Sequence, residues 1–206
     1  MINKLKLFIK RYGFSGGIRH LFYYLNTLLF YSNSRLIRLP IEIRGASFID
    51  LGKRLTTGRN CRIEVFTDES NYRNKEIILS FGNDITLNDN VHIAAKYSVK
   101  IGNNVLIASK VFITDHNHGN YEHDGSSTLI PPVERKLCGK PVIIEDNVWL
   151  GEFVVILPGV TIGKGSIIGA MSVVTKSIPP NSIAVGSPAK VIKEYDMVNS
   201  CWKNVI

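Results

Sequence analysis

The sequence predicts an all-β protein, a parallel β-solenoid of six-residue units, with a helical segment before it and a short helix after it. Three observations carry that prediction. Aliphatic residues recur every six positions from Ile144 through Leu150, Ile156, Ile162 and Ile168 to Val174. A second column sits four residues after each of these, at Val148, Val154, Val160, Ser166, Ser172 and Ile178. The residue following the first column is often small, as at Gly151, Gly163 and Gly169. A period of six fits neither the 3.6 of a helix nor the alternation of a simple strand. It fits a chain in which each hexad is one short strand and a corner, and three hexads close a triangular coil. The aliphatic side chain points inward, and stacked coils bury one continuous apolar column.

The elements follow in chain order. Residues 1–46 form a basic, aromatic segment, MINKLKLFIKRYGFSGGIRHLFYYLNTLLFYSNSRLIRLP at its start. It reads either as helices capping the open end of the solenoid or as an amphipathic anchor on an anionic membrane face. The apolar run from Leu21 to Tyr31 is too short to span a bilayer. No small-residue cleavage site follows it, which argues against a secretory signal and for a cytoplasmic protein, peripheral on the inner face of the membrane if the anchor reading holds. Residues 47–188 carry the hexads. An echo at Leu51-Gly52 precedes a run at Phe81, Leu87 and Ile93; the count slips by two and resumes at Ile101, Ile107 and Ile113. An excursion over 115–141 then interrupts it and holds three of the five histidines, His116, His118 and His123. Residues 189–206 read as a helix closing the far end.

Composition narrows the function. The chain of 206 residues is 45% hydrophobic and 20% charged, so it buries a core. Its net charge of +8 calls for a polyanionic partner. No nucleic-acid-binding signature is present, which leaves anionic lipid or a phosphate-bearing cofactor. Cys61, Cys138 and Cys201 are odd in number and far apart, as suits a reducing compartment.

The stretches VLIASKVFITDHNHG and PVIIEDNVWLGEFVVILPGVTIGKGSIIGAMSVVTKSIPPNSIAVGSPAKVIK, with the basic N-terminus, resemble the hexapeptide-repeat acyltransferases. They are most similar to the bacterial O-acetyltransferases that modify O-antigen, lipopolysaccharide or other surface polysaccharides. The resemblance implies a left-handed β-helix, a homotrimer, acetyl-CoA as cosubstrate with no metal, and a carbohydrate acceptor that is a surface polysaccharide or its lipid-linked precursor. A neutral imidazole suits removal of the proton from an attacking hydroxyl. Ungapped comparison puts the family's base at His118; a shorter loop would put it at His116. Asp115 is expected beside the acceptor, accepting an imidazole N–H, and Asn88 matches an acceptor-facing asparagine. Trp149, Gly151, Ala170, Thr175 and Lys176 match positions lining the coenzyme A groove. Lys190 and Lys193, three apart on a helix face, would meet its phosphates. Three alternatives stay open: N-acyl transfer to an amino sugar, a zinc hydratase like the γ-class carbonic anhydrases with His92 or His123 as third ligand, and a purely structural solenoid.

Overall fold

The computed structural model describes residues 2–68, 71, 76–122 and 125–205. Three mainly parallel sheets dominate it, and the chain visits them in rotation. The first holds Ile41–Arg44, Cys61–Val65, His92–Ala95, Phe112–Thr114, Val155–Ile156 and Val173–Val174. The second holds Ile49–Asp50, Leu79–Phe81, Val99–Ile101, Val142–Ile144 and Thr161–Ile162. The third runs through Thr86–Leu87, Leu106–Ile107, Trp149–Leu150, Ile167–Ile168 and Ser182–Gly186. Pairing is in register, so each inward residue stacks on its counterpart one circuit away. Ile63, Ile93 and Ile113 stack this way, and Ile113 lies opposite Ile156. These four are fully buried. The second column is inward too, which accounts for its aliphatic residues and for the burial of Ser166 and Ser172, whose hydroxyls donate to Pro179 and Gly169 carbonyls.

Small residues at the corners serve stacking rather than turning. A Cβ on Gly151 would come within 2.6 Å of Ala170 N and 2.9 Å of Ile168 O. The left-handed residue comes two positions later, at Asn90, Lys110, Phe153 and Met171, with φ of 59–60°. Asn88 is therefore not the left-handed corner residue; Asn90 is.

Three expected elements need correction. The coil begins before residue 47: Ile41–Arg44 pairs with Cys61–Val65, and Leu36 bridges Thr56. The C-terminal segment is not a helix. Ala189–Asp196 and Cys201–Asn204 add two antiparallel strands to the third sheet. The ladder from Ser182–Gly186 was an open edge, and pairing it satisfies backbone groups that a helix would have left exposed. Within the expected excursion, His116–His118 pairs antiparallel with Leu137–Gly139. The hexad count does not mark a further departure at residues 66–68. Ahead of the coils, Ile2–Phe30 is helical with a kink at Gly13 (φ 69°, ψ 174°). Among the described residues, no helix is long and apolar enough to cross a membrane.

Ile113→Ala removes a fully buried side chain from this column and is expected to lower unfolding free energy by about 2–5 kcal/mol, read as a reduced urea midpoint at unchanged slope.

Candidate functional site

The corner between the first and second sheets departs from the six-residue rhythm on successive circuits. Residues 66–68 leave it after Cys61–Val65. Lys96, Tyr97 and Ser98 lengthen it after His92–Ala95, which is the two-residue slip between Ile93 and Ile101. The excursion leaves it after Phe112–Thr114.

The lengthened turn and the excursion meet at Asp115. Its carboxylate is fully buried and accepts N–H bonds from Lys96 (2.9 Å), Tyr97 (2.7 Å) and Ser98 (2.7 Å). The His116 ring adds a fourth contact, Nδ1 to Oδ1 at 2.8 Å. Asp115 does bind an imidazole, but that of His116, and it is closed to any substrate. Its expected place beside the acceptor is corrected accordingly: the backbone cradle takes the whole charge inward. His116 is itself buried and packs edge-on against Phe66 at 5.1 Å.

His118 stands differently. Its side chain is exposed, and Nδ1 lies 3.2 Å from the Pro132 carbonyl oxygen. A carbonyl only accepts, so Nδ1 carries the proton and the Nε2 lone pair is left open. The surrounding loop is braced by side chains the sequence did not single out. Tyr121 donates its hydroxyl to the His118 carbonyl, Arg135 donates to Tyr121 Oη at 2.8 Å and to the Ile130 carbonyl at 2.8 Å, and Tyr97 Oη donates to the Leu137 carbonyl at 2.7 Å. Strand alternation turns Asn117 the other way, into a groove of about 460 Å³ with Cys138 and Lys140.

Most of the remaining expected residues fall on two other surfaces. Asn88, Gly151 and Ala170 occupy the corner between the third and first sheets, Asn88 and Ala170 exposed and Gly151 buried against the next coil. One protomer therefore does not bring Asn88 and His118 together. On the outer side of the third sheet, paired positions form a row: Leu106, Trp149, Ile167, Ile183, Lys193. Lys190 lies opposite Val185 on the same side, because a bulge at Ile192 resets the alternation. The two lysines share a face as expected, but through a bulged strand rather than a helix. Thr175 and Lys176 are exposed at the His118 corner of the last coil. Lys176, Lys190 and Lys193 form no ion pair among the described residues.

His92 is engaged elsewhere. It contacts Glu64 Oε1 at 2.8 Å and Arg62 on the outer side of the first sheet. Burial pushes its imidazole below the ordinary histidine value, against the opposing pull of Glu64. His123 lies outside the described residues. Among the described residues, no three His, Cys, Asp or Glu side chains gather as a metal site would need.

Comparison with known proteins gives three findings. Residues 141–176 match the bacterial transferase hexapeptide (six repeats) family. The chain is 45% identical over 196 residues to WbbJ of Escherichia coli (strain K12), named for lipopolysaccharide biosynthesis O-acetyl transfer, covering 94% of this chain and 96% of that one. It is 41% identical over 124 residues to the galactoside O-acetyltransferase of the same organism, covering 57% and 55%. Among solved structures, the N-acyltransferase AntD from Bacillus cereus superposes with a TM-score of 0.64 at 21% identity, covering 81% of this chain and 83% of that one. That likeness is one of fold.

Asp115→Asn replaces a carboxylate that accepts three N–H bonds by an amide with one acceptor oxygen. It is expected to lower stability by about 3 kcal/mol, measured by chemical unfolding. For His92 the folded value lies below the unfolded one, so between the two the unfolded chain binds more protons and acid favours unfolding. The melting temperature should fall as pH drops through about 6.5 toward 5.5, and less steeply in His92→Gln.

Proposed function

The chain belongs to the bacterial hexapeptide-repeat transferase family, and on that premise we propose that it is an acetyl-CoA-dependent O-acetyltransferase. The acceptor is a sugar hydroxyl of a surface polysaccharide, such as O-antigen, or of its lipid-linked precursor, modified in the cytoplasm. The observation that carries the proposal is the His118 imidazole, exposed on a braced corner with its Nδ1 against the Pro132 carbonyl. Resemblance over nearly the whole chain to a protein named as a lipopolysaccharide O-acetyl transferase supports the acceptor class.

In this reading the coils wind left-handed and three copies assemble. The Asn88 corner of one copy faces the His118 corner of the next, which is how two groups kept apart in one chain would share a site. The outward-facing row through Trp149, Ile167 and Ile183 ends at lysines without an ion pair among the described residues, which fits a long ligand with an apolar-tolerant arm and terminal phosphates. Coenzyme A, when bound, supplies the acetyl group as a thioester. Trp149 and Ala170 would line its arm, Thr175 would lie near its phosphates, and Lys176, Lys190 and Lys193 would neutralise them. Gly151, packed under Ala170, would shape this groove without touching its contents.

The chain's own residues then have defined tasks. His118 Nε2 takes the proton from the acceptor hydroxyl as that oxygen attacks, and the resulting imidazolium returns it to the departing sulfur. Proton donation from Nδ1 to Pro132 holds the ring in the tautomer this requires. The Asn88 amide holds an acceptor hydroxyl. His116 and Asp115 act one step away, fixing the strand on which His118 is mounted.

The test is acetyl transfer by purified protein from acetyl-CoA to candidate glycans, with the product linkage identified by mass spectrometry. His118→Ala should lower kcat/KM by about 10²–10⁴ while leaving the unfolding midpoint near wild type. His116→Ala should lower the midpoint as well, since it strips the Asp115 carboxylate of a partner. Undiminished turnover in His118→Ala overturns the base assignment. An amide product overturns the hydroxyl acceptor.

A further inference from the structure

The helix Ile2–Phe30 is mounted inside out. A helix that caps an apolar column should bury its apolar stripe and show a polar one. Here the side facing the coils is Gly16, His20, Tyr23 and Thr27, with Gly16, Tyr23 and Thr27 buried. Thr27 clamps it in place, its Oγ1 accepting the Ile37 N–H at 2.8 Å and donating to the Tyr23 carbonyl at 2.7 Å. The opposite side presents Phe14, Ile18, Leu21, Leu25 and Leu28, spaced four and three apart and 48–77% exposed. Phe22 and Leu29 extend this surface. A groove of about 690 Å³ runs beside the stripe, between Ile18, Leu21 and Leu36, with Arg35 and Arg38 among its lining.

Charge selects the occupant. Residues 1–41 hold seven basic residues and no acidic one, while residues 42–206 hold 18 basic and 17 acidic. Essentially the whole positive excess of the chain thus lies on the segment that carries the bare apolar stripe. Lys10, Arg11 and Arg19 are exposed and form no ion pair among the described residues. Helix-to-helix contact between copies would gather these charges with nothing to offset them. An anionic bilayer surface takes both features at once: the stripe enters the headgroup boundary, and the basic residues meet lipid phosphates.

We propose that the apolar face formed by Phe14, Ile18, Leu21, Leu25 and Leu28 docks this protein peripherally on an anionic membrane. The solenoid is then held against the surface by its first coil. The inference concerns where the protein works, and it is read without acetyl-CoA or acceptor, so its failure and that of the acetyl-transfer reading are separable.

The experiment is flotation of the full chain with vesicles of phosphatidylglycerol and phosphatidylethanolamine, against vesicles of phosphatidylcholine. Wild type should float with the anionic vesicles and bind the neutral ones at least tenfold more weakly. Ile18→Asp, Leu21→Asp and Leu25→Asp combined, and separately Lys10→Glu, Arg11→Glu and Arg19→Glu combined, should each weaken anionic binding at least tenfold. All six positions are exposed, so both variants should keep the wild-type urea midpoint. Three results overturn the proposal: no flotation of wild type, equal binding to neutral vesicles, or a smaller assembly by light scattering in the aspartate variant. The last would make the stripe a contact between copies.

Discussion

A single buried negative charge organises the functional corner. The Asp115 carboxylate is fully buried and, among the described residues, has no guanidinium or ammonium partner; three consecutive backbone N–H groups and one imidazole satisfy it. Leaving such a group unpaired would cost several kcal/mol, so wherever Asp115 goes the turn Lys96–Ser98 must go too. That couples two successive circuits at one corner. It fixes the point from which the His116–His118 strand departs; alternation puts both imidazoles on one face of that strand, His116 buried at its root against Asp115 and Phe66 and His118 exposed two residues further out. The position of an exposed imidazole is therefore set by a group that never meets solvent.

Coil stacking imposes the complementary constraint. In-register parallel pairing leaves the inside of the column little room for chemistry, because its inward positions are filled by apolar side chains or, at Ser166 and Ser172, by satisfied hydroxyls. Polar work is confined to corners and outer faces. Asn88 and His118 sit on different corners, with the first sheet between them. Under the proposed reading a second column alongside completes the site, and the outer row of Trp149, Ile167, Ile183 and Lys193 would give an extended ligand its length.

The hexads were legible because each inward position demands one kind of side chain and the pairing repeats it. The slip at Ile93 to Ile101 was visible too, but its purpose was not: the cradle it builds consists of backbone N–H groups, which leave no mark on residue type. The left-handed corner position was half legible. Asn60, Asn90, Asn104 and Asn147 advertise it, whereas Phe153, Met171 and Lys110 adopt the same φ without any such signature. At the C-terminus, Lys190 and Lys193 have a spacing that fits one face of a helix, and only the bulge at Ile192 gives a strand the same result. The N-terminal helix was correctly read as helical. Its orientation was not legible, because apolar residues surround it on nearly all sides and the contact with Ile37 that settles which face packs is made by one threonine hydroxyl.

The division of the site between neighbouring columns is most directly tested by mixing two inactive subunits. His118→Ala and Asn88→Ala proteins are unfolded together in equal amounts, refolded, and assayed for acetyl transfer. If each site takes its imidazole from one copy and its amide from the next, random assembly leaves about one site in four with both groups intact. Activity near a quarter of wild type is the predicted result, against near zero for either variant refolded alone. No recovery on mixing would mean that both groups serve one chain, and the account of a site built between columns would be wrong.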